Sequence, residues 1–204
     1  MVDRYIASRG VKDERILQAI RDVPRHLFVP PAVASQAYGD TPLPIGQQQT
    51  ISQPYIVARM IELLDLKGNE KVLEIGTGTG YEAIVLSKVC AKVFTMERIP
   101  ELAKRASEPI RELKITNVSV KVFDGTYGWS DQAPFDRIIV AAAAPEVPDP
   151  LVQQLARGGK MVIPLGPYNL QRLARVTRVG TGINIEDCGG VAFVPLIGRF
   201  GVRE

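Results

Sequence analysis

The sequence predicts an α/β chain, an open, doubly wound, mostly parallel sheet with helices on both faces. Two observations carry this. From about residue 70, β-rich runs at 71–76, 92–97, 118–123, 135–141 and 160–165 alternate with segments of helical spacing. Strands that alternate with helices need crossover connections, which make neighbouring strands parallel and cover both sheet faces. In addition, no internal repeat, low-complexity tract or Gly/Ser linker divides the 204 residues. A single domain over 1–204 is therefore expected, with an N-terminal helical and loop extension at 1–50 and the α/β core at 51–204.

In the extension, Asp13 is placed to cap a helix whose apolar face is Ile16, Leu17, Ile20 and Val23. A Pro-rich passage follows. Over residues 37–46, Pro42 and Pro44 disfavour helix and interrupt any central strand, which predicts a long ordered loop, more often functional than idle. Val57, Met60, Ile61 and Leu64 fall on one helical face ahead of the first core strand. Ala103, Ala106, Ile110 and Leu113 do so further on, although Pro109 should kink or shorten that helix. Leu151, Val152 and Leu155 form a shorter stripe. After Leu165 the runs 173–179 and 191–197 have only turns between them, which predicts antiparallel strands at the C-terminal end of the sheet.

Composition excludes several classes. Apolar residues make up 46% and charged residues 23%, the proportions of a globular protein rather than a disordered one. The 25 Lys and Arg against 22 Asp and Glu leave a charge of +3, spread along the chain, so the footprint of a dedicated nucleic-acid binder is missing. The longest apolar run, 138–144, is far too short to span a membrane, and the first residues lack the apolar stretch of a signal peptide. The expectation is a cytoplasmic protein, monomeric, with neither nucleic-acid nor membrane partners. Two cysteines, Cys90 and Cys188, make no disulfide framework or zinc knuckle, and the single histidine, His26, makes a Ser-His-Asp triad improbable; no metal is expected.

The strongest local signal is Val72-Leu73-Glu74-Ile75-Gly76-Thr77-Gly78-Thr79-Gly80-Tyr81, a strand running through alternating glycines into a helix, the opening of a Rossmann-like unit. A dinucleotide fingerprint would need glycine at position 81, where Tyr81 stands, and no P-loop occurs. Glu97 ends the second strand about twenty positions after Gly76, where an acidic residue accepts hydrogen bonds from ribose hydroxyls. Asp124 and Gly125 follow the third strand; the carboxylate suits an exocyclic adenine amino group, although Asp-Gly also makes an ordinary turn. Gly76, Thr77, Gly78, Glu97, Asp124 and Gly125 would thus meet at the carboxyl ends of three successive strands, the crevice where open α/β sheets bind ligands. A nucleoside without a phosphate clamp fits them, and S-adenosyl-L-methionine is such a ligand.

The fourth strand leaves through Ala141-Ala142-Ala143-Ala144-Pro145. It lacks both the polar, stacking residues that methylation of a base amino group calls for and the Pro-Cys pair of covalent cytosine methylation. A dry apolar wall suffices if the acceptor is already an anion. Ser52, in Gln49-Thr50-Ile51-Ser52-Gln53-Pro54, is the polar candidate facing that wall, and it also suits the N-cap of the following helix. Against this stand a small methyltransferase acting on RNA or a metabolite, a nicotinamide-dependent oxidoreductase, and an inactive nucleoside-binding module.

Taken together, Ala37-Tyr38-Gly39-Asp40, Leu43-Pro44-Ile45-Gly46, Gln49-Thr50-Ile51-Ser52-Gln53-Pro54-Tyr55 and Asp124-Gly125-Thr126-Tyr127-Gly128-Trp129 resemble the protein-L-isoaspartate O-methyltransferase family, with further landmarks from Val23-Pro24-Arg25 to Phe193-Val194-Pro195-Leu196-Ile197-Gly198. The resemblance implies a class I methyltransferase fold, S-adenosylmethionine as methyl donor, and isoaspartyl proteins and peptides as acceptors, whose methyl ester closes to a succinimide that hydrolyses partly to aspartate. It implies that Ser52 is the active-site serine, that Thr50 and Ile51 border the donor, and that Glu97, Asp124 and Gly125 hold its adenosine. Asp40, Ile45, Gly46, Ala142, Val194, Pro195 and Leu196 would line the acceptor cleft. The chain departs from many relatives at Gln47, Phe123 and Ala144, and at Tyr55-Ile56-Val57, where some carry a histidine.

Overall fold

The computed structural model describes residues 1–167 and 169–203. Helical turns at Val2–Ile6 and Ala7–Arg9 lead into α1, Glu14–Asp22. The Asp13 side chain caps α1 by accepting from the Arg15 N–H, and Ile16, Leu17 and Ile20 are buried, as the sequence predicts. Short 3₁₀ turns at Arg25–Phe28 and Pro31–Gln36 follow.

The segment predicted as a long loop contains a hairpin. Strand β1, Leu43–Gly46, pairs antiparallel with β2, Gln49–Ile51, and Gly46 faces Gln49 across a two-residue turn. Gln47 and Gln48 both take positive φ, 53° and 55°, which the right-handed twist of a two-residue hairpin demands. Nothing in a Gln-Gln pair announces such a turn.

The core then runs α2 Pro54–Leu63, β3 Lys71–Ile75, α3 Tyr81–Ser87, β4 Lys92–Glu97, α4 Pro100–Glu112, β5 Val118–Val122, β6 Phe135–Val140, α5 Asp149–Gln154, β7 Leu155–Leu165, β8 Gln171–Val179 and β9 Gly182–Val191. Among the described residues the main sheet has seven strands in the order β5-β4-β3-β6-β7-β8-β9. β5 to β7 are parallel, whereas β8 and β9 return antiparallel. The order reverses between β4 and β6 on either side of β3, and this switch point opens the crevice in which the site lies.

Side chains alternate between two buried clusters. Val72, Val93 and Ile139 point to the face covered by α1 to α4, and Leu73, Phe94, Ile138 and Val140 to the face that holds Leu151 of α5. Burial of Val72, Leu73, Glu74 and Ile75 marks β3 as an interior strand of the sheet.

Three further elements differ from expectation. The last strand lies at 182–191 rather than 191–197, because Val179 pairs with Gly182 around a two-residue turn. β9 is the sheet edge and is largely exposed, so its apolar pattern is faint. Residues 192–197 run on as extended chain, with Ala143 donating to the Val194 carbonyl and Leu196 to the Ala143 carbonyl, both at 2.8 Å. Pro109 does not shorten α4: it forgoes one bond, to the Arg105 carbonyl, while the Leu113 N–H reaches the Pro109 carbonyl at 2.9 Å. β7 begins at Leu155, earlier than the apolar pattern shows, across the Gly158-Gly159 pair. Among the described residues no helix is long and apolar enough to cross a membrane.

Candidate active site

The glycine turn is the floor of the site. As β3 ends, the Gly76 and Thr77 N–H groups still donate to the Met96 carbonyl of β4, at 2.9 and 3.2 Å. Thr77 and Thr95 share a hydroxyl hydrogen bond of 2.5 Å beneath them. Gly76, Gly78 and Gly80 all have positive φ, at 97°, 53° and 82°, a conformation that side chains resist. At Gly80 space is also short: a Cβ would lie 3.2 Å from the Ala106 carbonyl, so the third glycine lets α3 press against α4.

Glu97 closes one side of the crevice. Only 6% exposed, its carboxylate accepts from the Gly78 N–H at 2.9 Å through Oε2 and from the Ile99 N–H at 3.0 Å through Oε1. A carboxylate has about four acceptor positions, so each oxygen keeps capacity for a ligand hydroxyl. Both Glu97 and Gly125 line the cavity, as do Gly76, Thr77 and Gly78. Gly125 serves packing as much as access, because a Cβ there would come within 2.5 Å of Ile75 Cγ2.

Thr50, Ile51 and Ser52 approach from β2, and Ala142, Val194, Pro195 and Leu196 complete the wall with Ala141 and Ile197. The β6 exit meets the C-terminal segment here, held by the Ala143 bonds to Val194 and Leu196. Of the four wall residues expected in the acceptor cleft, Ala142, Pro195 and Leu196 line this cavity alone, and Val194 also borders a wider adjoining groove. Ser52 does not cap α2. Gln53 occupies the N-cap without a side-chain bond, and Pro54 takes the first turn, where no N–H is needed.

Four predicted residues stand elsewhere. The Asp124 carboxylate is not on the cavity wall: Oδ1 accepts from the Thr126 N–H and hydroxyl at 2.9 and 2.7 Å, and Oδ2 from the Arg199 N–H at 2.8 Å. It thus pins the C-terminal turn to the end of β5. Asp40 is tied to Arg9 at 2.9 Å, Gln53 at 2.6 Å and the Tyr55 N–H at 3.2 Å. Ile45 is 1% exposed, and its carbonyl takes the Arg105 guanidinium at 2.8 Å. Gly46, at φ 88°, belongs to the hairpin. These three support the segment that carries Thr50 to Ser52 without lining the cavity themselves.

Sequence reasoning missed residues that the fold brings here. Arg25, fully buried, donates through Nε to the Ala37 carbonyl at 2.9 Å and through Nη2 to the Ser52 carbonyl at 2.6 Å, and lies 4.8 Å from the Tyr81 ring centroid. Burial pulls its pKa down and pushes the Tyr81 hydroxyl up to about 12. Val-Pro-Arg was visible as a motif, but its arginine gave no sign of reaching Ser52. Glu82, one residue after the tyrosine that breaks the dinucleotide fingerprint, lines the same cavity. His26 is remote in role, exposed and 2.7 Å from the Tyr38 hydroxyl.

A second, wider groove adjoins the cavity and shares Thr50, Ser52, Ala141 and Val194 with it. Its far walls come from Arg9, Tyr55 and Arg59 on one side and Arg172, Leu173 and Val191 on the other. Ser52 therefore stands where a narrow, glycine-floored cavity opens into a broad surface groove.

The sequence profile of the Protein-L-isoaspartate(D-aspartate) O-methyltransferase (PCMT) family matches residues 1–201. The chain belongs to this family. The protein-L-isoaspartate O-methyltransferase of Geobacter metallireducens is 54% identical over 202 residues, which cover 98% of this chain and 94% of the relative. That of Syntrophus aciditrophicus is 52% identical over 204 residues, with 98% and 94% covered. Among known structures, a protein-L-isoaspartate O-methyltransferase superposes with a TM-score of 0.89 at 28% identity, over 98% of this chain and 67% of that one. A putative family member from Plasmodium falciparum, in complex with S-adenosyl-L-homocysteine, gives 0.78 at 28% identity, over 92% and 93%. The fold of the family is the one described above.

Proposed function

We propose that this chain transfers the methyl group of S-adenosyl-L-methionine to the free carboxylate of L-isoaspartyl residues in damaged proteins and peptides, with the cavity as donor site and the adjoining groove as acceptor cleft. The observation that carries the reading is the position of Ser52 at the junction of the two spaces. The names of the relatives and the S-adenosyl-L-homocysteine of the Plasmodium protein support the donor and acceptor classes.

The residues present fit such a donor. Glu97 keeps acceptor capacity for ribose hydroxyls at the β4 end, and Glu82 leaves a buried oxygen unpartnered in the same cavity wall. When bound, the donor supplies an electrophilic methyl on a sulfonium. An isoaspartyl carboxylate is ionised at neutral pH, so no side chain has to remove a proton. What the chain contributes is alignment and exclusion of water. Ala141, Ala142 and Val194 to Leu196 present apolar walls, and the Ser52 hydroxyl is a hydrogen-bond donor at the mouth that can orient a carboxylate. Orientation of this kind is worth about 7–11 kcal/mol in favourable cases.

Purified protein with methyl-labelled donor is expected to label an isoaspartyl peptide and spare its aspartyl twin. Equal labelling of the two, or labelling of RNA instead, would overturn the acceptor assignment.

A further inference from the structure

Beside the glycine turn three buried carboxyl oxygens, both of Glu74 and Oε1 of Glu82, have no hydrogen-bond partner among the described residues. Glu74, on β3, is sealed from solvent, whereas Glu82, in the first turn of α3, is 9% exposed and forms part of the cavity wall with Tyr81. Leaving a buried carboxylate unpaired costs several kcal/mol, which raises the proton affinity of the group unless a cation arrives. Desolvation indeed pushes Glu82 up to about 8. A fold that keeps such a group at the wall of a binding cavity, when Gln would fill the same space, calls for a cationic ligand group.

Within the donor reading, the adenosine end is accommodated by Glu97 and Gly125, at the ends of β4 and β5. The other end of the donor is an amino acid, and Gly76, Ala141, Thr50 and the first turn of α3 also line the cavity. We infer that Glu82 binds the α-ammonium of the donor's amino-acid tail through a charge-assisted hydrogen bond, and so selects adenosyl ligands that carry that ammonium. The inference rests on the proposed donor site and adds to it a residue and the chemical group the residue recognises. A first-turn carboxylate also complements the helix dipole, a role that would be indifferent to the ligand's amino group.

The two roles separate in a binding experiment that needs no turnover. Calorimetric titration compares S-adenosyl-L-homocysteine with its analogue bearing hydrogen in place of the α-amino group, against the natural protein, Glu82→Gln and Glu82→Asp. Glu82→Gln is expected to weaken S-adenosyl-L-homocysteine by about tenfold or more, the usual worth of a hydrogen bond to a charged group, and to leave the des-amino analogue within about twofold. Glu82→Asp, which retracts the carboxylate, should give an intermediate loss for the amino-bearing ligand alone. Unchanged affinity for S-adenosyl-L-homocysteine, or equal losses for both ligands, overturns the assignment while the donor site stands. A natural protein that binds neither ligand removes the donor reading itself and this inference with it.

Discussion

The Arg25 guanidinium donates to the Ser52 carbonyl at 2.6 Å, which ties the N-terminal extension to the residue at the mouth of the cavity. The same group holds the Ala37 carbonyl at 2.9 Å and faces the Tyr81 ring, whose residue lines the cavity. A planar fork is required to serve two carbonyls from one buried position, and a lysine ammonium is a poor substitute. Arg25→Lys should therefore lower turnover by about tenfold or more, because small displacements of an orienting group are costly, together with a loss of about 1–3 kcal/mol for an unsatisfied carbonyl. Steady-state rates and melting curves on the same preparation check this. A lowered melting midpoint with full turnover would reduce Arg25 to a packing role.

Ser52 offers the complementary case. Since Gln53 rather than Ser52 occupies the N-cap of α2, the Ser52 hydroxyl is free of the duty that its sequence position suggests. Ser52→Ala should leave stability within about 0.5 kcal/mol, as at sites without a structural role, while methyl transfer slows by about tenfold or more. Urea titration alongside the isoaspartyl assay decides between the roles. A stability loss near the ~1 kcal/mol of a missing cap, with unchanged transfer, would return the serine to the helix.

Periodicity made most of the fold legible. The inner parallel strands β3 and β4 are buried on both faces, so their apolar runs stand out between helices, and glycine is favoured in the turn after β3 because its φ values are ones that side chains resist. Legibility failed where tertiary context governs. β9 is an exposed edge whose pairing is set by the turn before it, and α4 absorbs Pro109 because the surrounding turns keep their bonds. At the site, Glu97 was placed by its spacing from the glycine turn and Thr50 by the family resemblance, and both line the cavity. Asp124 shows the limit of that method: its position is at the strand end, but its oxygens are engaged by Thr126 and by Arg199, a contact some 75 residues away. Arg25 and Glu82 were missed for a related reason, since nothing local to either residue reports which cavity or carbonyl it will meet.

The β1–β2 hairpin carries a correctable strain. Gln47 and Gln48 sit at φ 53° and 55°, where a residue with a side chain costs about 1–2 kcal/mol. The favoured pair for such a turn is Asn-Gly. Gln47→Asn with Gln48→Gly is expected to raise stability by about 1 kcal/mol, or about 2–4 °C in the melting midpoint at this chain length. Differential scanning calorimetry measures it directly, and an unchanged or lowered midpoint would mean that the glutamine side chains compensate elsewhere.

Glu82 links stability to pH in a direction that ordinary paired carboxylates do not. Its pKa is raised by burial from 4.5 in the unfolded chain to about 8 in the fold. The neutral form is the one the interior favours, so its contribution is fully present below pH 4.5 and is lost as pH rises through about 8. Glu74, deeper in the same cluster, is shifted in the same direction by burial and by the Glu82 and Glu97 charges. Glu82→Gln removes one of these titrations. Without ligand, the variant and the natural protein should melt together near pH 4.5, and the variant should become the more stable by about 1 kcal/mol or more for each pH unit towards 8, each ~1 kcal/mol appearing as about 2–4 °C. Melting curves across that range test the sign. A gap that stays constant with pH, or one that favours the natural protein at the alkaline end, would mean that Glu82 is ionised in the folded state and already compensated there.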